Sequence, residues 1–78
     1  MNETPATTLD LSGLKCPLPA LKTRKALKSV APGAALEVIC TDPLSAIDIP
    51  NLLRETGDAL EATRKDGERL VFVIRRAG

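Results

Sequence analysis

The sequence predicts an α/β (α+β) two-layer sandwich, with a mixed four-stranded sheet and two helices on one face. Three observations carry this expectation. Apolar periodicity alternates between two and 3.6 residues in the order β-α-β-α-β-β. The chain has 78 residues, enough for a single domain over residues 1–78. It has one Phe, no Trp and no Tyr, so its core is aliphatic. A domain of this size buries only about 60–65% of its unfolded surface. One sheet with both helices on the same face gives every apolar stripe a partner.

The elements follow in order. Residues 1–7 are polar and are expected to be disordered. Residues 8–11 alternate polar and apolar, as a short strand does. Ser12-Gly13 turns the chain, and Leu14-Lys15 leads into Cys16-Pro17-Leu18-Pro19. From there Ala20, Thr23, Leu27 and Val30 recur at helical spacing, with Lys22, Lys25 and Lys28 on another arc. Pro32-Gly33 stops this helix. Residues 35–41 form the second strand, with Leu36, Val38 and Cys40 on one side. Asp42-Pro43 is a stop-and-cap signal, and Asp48-Ile49-Pro50 repeats it. A short turn over 44–47 is therefore expected, then a helix over 49–56 closed by Gly57. Residues 59–65 and 69–75 read as strands, with Asp66-Gly67 as a two-residue hairpin turn. Leu70, Phe72 and Ile74 share one face of the last strand, and Val71 and Val73 the other. Strand–helix–strand units imply right-handed crossovers and parallel strands, while the final pair is antiparallel.

Composition excludes several kinds of chemistry. Histidine is absent, which removes Cys-His catalysis, His-bearing zinc sites and imidazole acid–base work. Two cysteines are too few for a secreted disulfide scaffold and make a poor metal site. No metal or resident cofactor is expected. No apolar run approaches the roughly 20 residues that span a bilayer. The N-terminal residues lack a signal pattern, so no membrane association and a cytoplasmic, monomeric protein are expected.

Cys16 is the strongest candidate for reactivity. It precedes a proline, where the backbone is pushed toward extended geometry. A helix beginning at Pro17 would set the sulfur near the positive end of the helix dipole and favour thiolate. Pro17 and Pro19 also remove two N–H groups from that place, so the regular helix could begin at Pro19 with Cys16 on a stiff lead-in. No acidic residue stands between Asp10 and Glu37, while Lys15, Lys22, Arg24, Lys25 and Lys28 fall in that interval. Singly, each is the solvated face of a helix; together they make a basic segment able to dock an acidic partner surface. Leu18 and Leu21 are candidate apolar contacts near the thiol, Leu21 equally a helix flank. Cys40 shares strand parity with Leu36 and Val38 and is expected to be buried and inert. Asp10 and Asp42 are supporting residues: Asp10 precedes the cysteine loop, and Asp42 reads as a cap that matters if its turn ends beside Cys16.

Leu9-Asp10 followed by Gly13-Leu14-Lys15-Cys16-Pro17-Leu18-Pro19 resembles the signature of the TusA/SirA-like sulfur carriers. The similarity continues through Pro32-Gly33, Thr41-Asp42-Pro43, Asp48-Ile49-Pro50, Gly57 and the closing basic strand. It implies a two-layer sandwich like the C-terminal domain of a bacterial translation initiation factor. It also implies that the cysteine of the Cys-Pro-X-Pro element, here Cys16, accepts sulfur as a transient persulfide. The implied donor is a cysteine desulfurase or a rhodanese, and the implied acceptor a downstream protein in tRNA thiolation, molybdenum cofactor assembly or sulfur metabolism. Such a protein is a relay, consumed and regenerated at each transfer, rather than a stand-alone turnover enzyme. Sulfur exchange needs a thiolate and an open approach but no histidine, which this composition satisfies. The alternatives are a non-catalytic interaction module and an RNA-binding module. Against direct nucleic-acid binding stand the net charge of +1 and the lack of aromatic platforms beyond Phe72.

Overall fold

The computed structural model describes residues 7–77. The elements are β1 (Thr7–Asp10), α1 (Leu18–Leu27), β2 (Ala35–Cys40), α2 (Ser45–Thr56), β3 (Ala59–Asp66) and β4 (Arg69–Arg75). The expected disorder of residues 1–7 lies outside the described residues except at Thr7, which opens β1 opposite Leu36.

The sheet order is β1-β2-β4-β3. β1 runs parallel to β2, as a β-α-β crossover requires. β4 is inserted between β2 and β3 and is antiparallel to both. That placement puts the two most apolar strands, β2 and β4, at the centre of the sheet with a neighbour on each side. Phe72 of β4 pairs with Val38 and Ile74 with Leu36 on the helix-covered face. Phe72, Leu36, Val38, Ile74, Cys40 and Ile49 are all buried, and Leu27, Val30 and Leu53 close over them. β3 is an edge strand whose eight residues are all exposed. A bulge between Leu60 and Ala62 interrupts its register, and charged side chains cover it, two devices that discourage edge-to-edge association.

Three local expectations are corrected. The second helix is one continuous element from Ser45 to Thr56 with Pro50 inside it, not a short turn followed by a helix over 49–56. Its first turn is tight: Ser45, Ala46 and Ile47 donate to the carbonyls of Asp42, Pro43 and Leu44, three residues back. Asp48 is thereby a helical residue and caps nothing. The β3–β4 turn is Gly67-Glu68, one residue later than expected, because Asp66 still pairs with Arg69. Gly67 has φ +62° and no non-glycine residue among those described has positive φ, the pattern of a II′ turn. Arg75 and Arg76 read from the sequence as a solvated strand end, but Arg76 is partly buried against α1. Its guanidinium donates to the carbonyls of Leu27 and Val30 at 2.6 and 2.7 Å, which caps the last turn of α1.

Candidate functional site

The site is built from the two loops that follow β1 and β2 at the same end of the sheet. Gly13, at φ +85°, reverses the first loop, and its amide donates to Thr41 Oγ1 at 2.8 Å. Asp10 accepts from the Ser12 amide at 3.0 Å, and Ser12 holds the Asp10 carboxyl below its usual range. The loop is thus tied at its own start and to its neighbour. Lys15-Cys16-Pro17-Leu18 forms a turn, closed by the Leu18 amide donating to the Lys15 carbonyl at 2.9 Å, with a cis Cys16–Pro17 peptide. Pro17 is the N-cap and Pro19 the buried second residue of α1.

Two carboxylates fix Cys16. Its amide donates to Asp42 Oδ2 at 2.6 Å, while Asp42 Oδ1 accepts from the Leu44 amide at 3.0 Å. Asp42 therefore caps its own turn and holds the cysteine backbone. The two amides lower its pKa, that of Cys16 contributing most. The Cys16 thiol donates to Asp48 Oδ2 at 2.8 Å. Sequence reasoning missed Asp48 because local context made it a helix cap. The available signal was its spacing with Asn51, Leu52 and Glu55, which in a continuous helix aligns four side chains on one face.

The thiol faces a shallow groove of about 240 Å³ between the helices. α1 lines it with Ala20, Leu21 and Arg24, and α2 with Asp48, Asn51, Leu52 and Glu55. Arg24 and Glu55 approach to 4.0 Å across it, a solvent-exposed pair worth little in stability. Leu18, Leu21, Leu44 and Ile47 are exposed large apolar side chains on the first turns of the two helices, Ile47 at 60%. Leu44 and Ile47 were not read from the sequence as part of this surface. A larger hollow of about 630 Å³ lies between Pro43, Ala46, Lys65 and Leu70, and no thiol lines it.

The expected electrostatics are reversed. The Cys16 thiol is pushed up, not down, chiefly by its hydrogen bond to Asp48, then by partial desolvation and the charges of Asp48 and Asp42. The five basic residues do not offset this. Lys15 acts on Asp42, Arg24 lies along the groove, and Lys22, Lys25 and Lys28 are exposed outside the groove lining. No backbone amide of Pro17 or Pro19 exists to face the sulfur, and that of Leu18 is engaged by Lys15. The acid-free sequence interval is therefore not an acid-free site, because the fold brings up Asp42 from the β2–α2 connection and Asp48 from α2. Cys40 is fully buried as expected, and burial pushes its thiol up as well.

Comparison with known proteins fits this arrangement. Residues 7–76 match the family described as Sulfurtransferase TusA. The chain is 39% identical over 69 residues to the Sulfur carrier protein TusA of Allochromatium vinosum, covering 88% of this chain and 91% of the relative. The crystal structure of a SirA-like protein from Desulfitobacterium hafniense superposes with a TM-score of 0.78. That superposition covers 92% of this chain and 99% of the other at 22% identity, and so speaks for the fold. Matched along nearly its whole length, the chain belongs to the TusA family, whose role is sulfur carriage.

Proposed function

We propose that Cys16 is the carrier residue. It accepts sulfur from a donor protein such as a cysteine desulfurase or a rhodanese and passes it to an acceptor protein in tRNA thiolation, molybdenum cofactor assembly or sulfur metabolism. The observation that supports this most is access. Cys16 is an exposed thiol on a backbone held by Asp42, at the mouth of a groove with apolar flanks, while Cys40 is sealed in the core.

The chemistry is thiol–persulfide exchange. The Cys16 sulfur attacks the outer sulfur of the donor's persulfide. A new sulfur–sulfur bond forms at Cys16 and the donor's own sulfur–sulfur bond breaks. The electron pair leaves on the donor cysteine, which takes up the proton lost by Cys16. The transferred sulfur keeps its oxidation state, so neither an oxidant nor a cofactor is consumed. Delivery to the acceptor is a second displacement, at the outer sulfur now on Cys16. The resting thiol can make the first attack only as thiolate.

Asp10, Asp42, Pro17 and Pro19 restrain the loop, while Lys15, Lys22, Arg24, Lys25 and Lys28 offer positive charge for docking. The test is intact-protein mass after incubation with a cysteine desulfurase, pyridoxal phosphate and cysteine. A gain of one sulfur atom is expected for the wild type and for Cys40→Ser, and none for Cys16→Ser. A gain that persists in Cys16→Ser would overturn the assignment.

A further inference from the structure

We propose that Asp48 is a positioning residue that holds Cys16 as a protonated, hydrogen-bonded thiol in the free carrier, so that sulfur is taken up only when that hydrogen bond is released. The inference rests on Cys16 being the carrier residue, and it adds a control on when that residue reacts.

The geometry carries it. Cys16 is gripped twice, its amide by Asp42 at 2.6 Å and its thiol by Asp48 at 2.8 Å. The first grip fixes where the sulfur sits, and the second fixes where its proton points. The two carboxylates come from different elements, the β2–α2 loop and α2 itself. Among the described residues Asp48 has no ion-pair partner, so its negative charge acts on the sulfur unopposed. The other charged groups around the sulfur do not change this. Lys15 lies beside Asp42, and Arg24 approaches Glu55 one turn beyond Asn51.

A carboxylate that accepts from S–H stabilises the thiol and destabilises the thiolate. The nucleophile is the thiolate, so the contact restrains attack on any electrophile. It is also an exposed contact, open to replacement by a partner's donor at the groove mouth. Once it is broken, the thiol proton is free to leave, and it ends on the departing donor cysteine. Cys40 is restrained by a core that a docking partner cannot displace; Cys16 is restrained by one polar contact that it can.

The test uses the full chain with Asp48→Asn, which removes the charge and keeps the shape, and Asp48→Glu, which keeps the charge. The first readout is the pH profile of Cys16 alkylation by iodoacetamide, with circular dichroism as the control for folding. Asp48→Asn should move the profile to lower pH and speed alkylation at neutral pH, and Asp48→Glu should fall between it and the wild type. Each tenfold gain in thiolate costs about threefold in intrinsic nucleophilicity, so a net acceleration of about threefold is expected for every tenfold gain. The second readout is sulfur addition at Cys16 from sodium polysulfide, which should accelerate in parallel. An unchanged or upward-shifted profile in folded Asp48→Asn overturns the role of Asp48, whether or not Cys16 takes up sulfur. A downward shift with no sulfur addition at Cys16 in any variant upholds the restraint on the thiol and overturns the carrier reading instead.

Discussion

The two cysteines of this chain reach the same electrostatic condition by opposite routes. Both thiols are harder to ionise than an ordinary cysteine. At Cys40 the cause is burial among Leu36, Val38 and Phe72, a property of the whole core. At Cys16 the leading cause is a single hydrogen bond to Asp48 on an exposed surface. Changing the first requires opening the domain, while changing the second requires moving one side chain. The two restraints therefore share a direction and differ in how readily they can be removed.

The sharpest break of this contrast is differential labelling. In the native protein iodoacetamide should modify Cys16 and leave Cys40 untouched, while in denaturant both should react. Reaching Cys40 needs an opening on the order of 5 kcal/mol, which makes its native labelling about a thousandfold slower or more. Comparable native rates, read by peptide mass mapping, would erase the distinction between the two sulfurs. The next largest effect is on stability. Cys40→Ser sets a smaller, more polar group opposite Leu70, with the buried Ser45 side chain as its polar neighbour among apolar ones, and should cost about 1–3 kcal/mol. Cys16→Ser should stay within about 0.5 kcal/mol, as surface substitutions do. Urea titrations of both variants give the comparison directly, and equal midpoints would refute it.

The smallest effect concerns the Asp42 grip. Its carboxyl is lowered from 3.8 by the Cys16 and Leu44 amides, so its contribution to folding is complete well above 3.8. That contribution disappears as pH falls through the lowered native value. The Cys16 amide resonance in an NMR titration should therefore move only below the ordinary carboxylate range. A midpoint at 3.8 or above would show that the grip is absent in solution.

Much of this arrangement is legible in the residues themselves. The alternation of Leu36, Val38 and Cys40, and of Leu70, Phe72 and Ile74, placed two strands and the core face without ambiguity. The pre-proline cysteine marked the loop that presents the exposed thiol. The signals that failed were local rules overridden by neighbours. Pro50 suggested a fresh helix start, yet the tight first turn after Asp42-Pro43 carried the helix straight through it. Asp48 consequently changed from a cap into the acceptor of the thiol proton. The basic interval around Cys16 misled for a similar reason. Charge counted along a chain is blind to residues 26 and 32 positions away, and those are the separations of Asp42 and Asp48 from the cysteine. The caps formed by Arg76 on α1 were invisible for the same reason, since their partners lie 46 and 49 residues apart.

The stitching of one β–α connection to the next has a practical corollary for anyone transplanting this chemistry. A peptide or graft covering residues 7–28 would carry the Cys-Pro-X-Pro tetrapeptide and every nearby lysine, yet neither Asp42 nor Asp48. Its sulfur would be free to wander and easier to oxidise. Two homologues with identical tetrapeptides but different residues at 42 or 48 should likewise behave as different reagents.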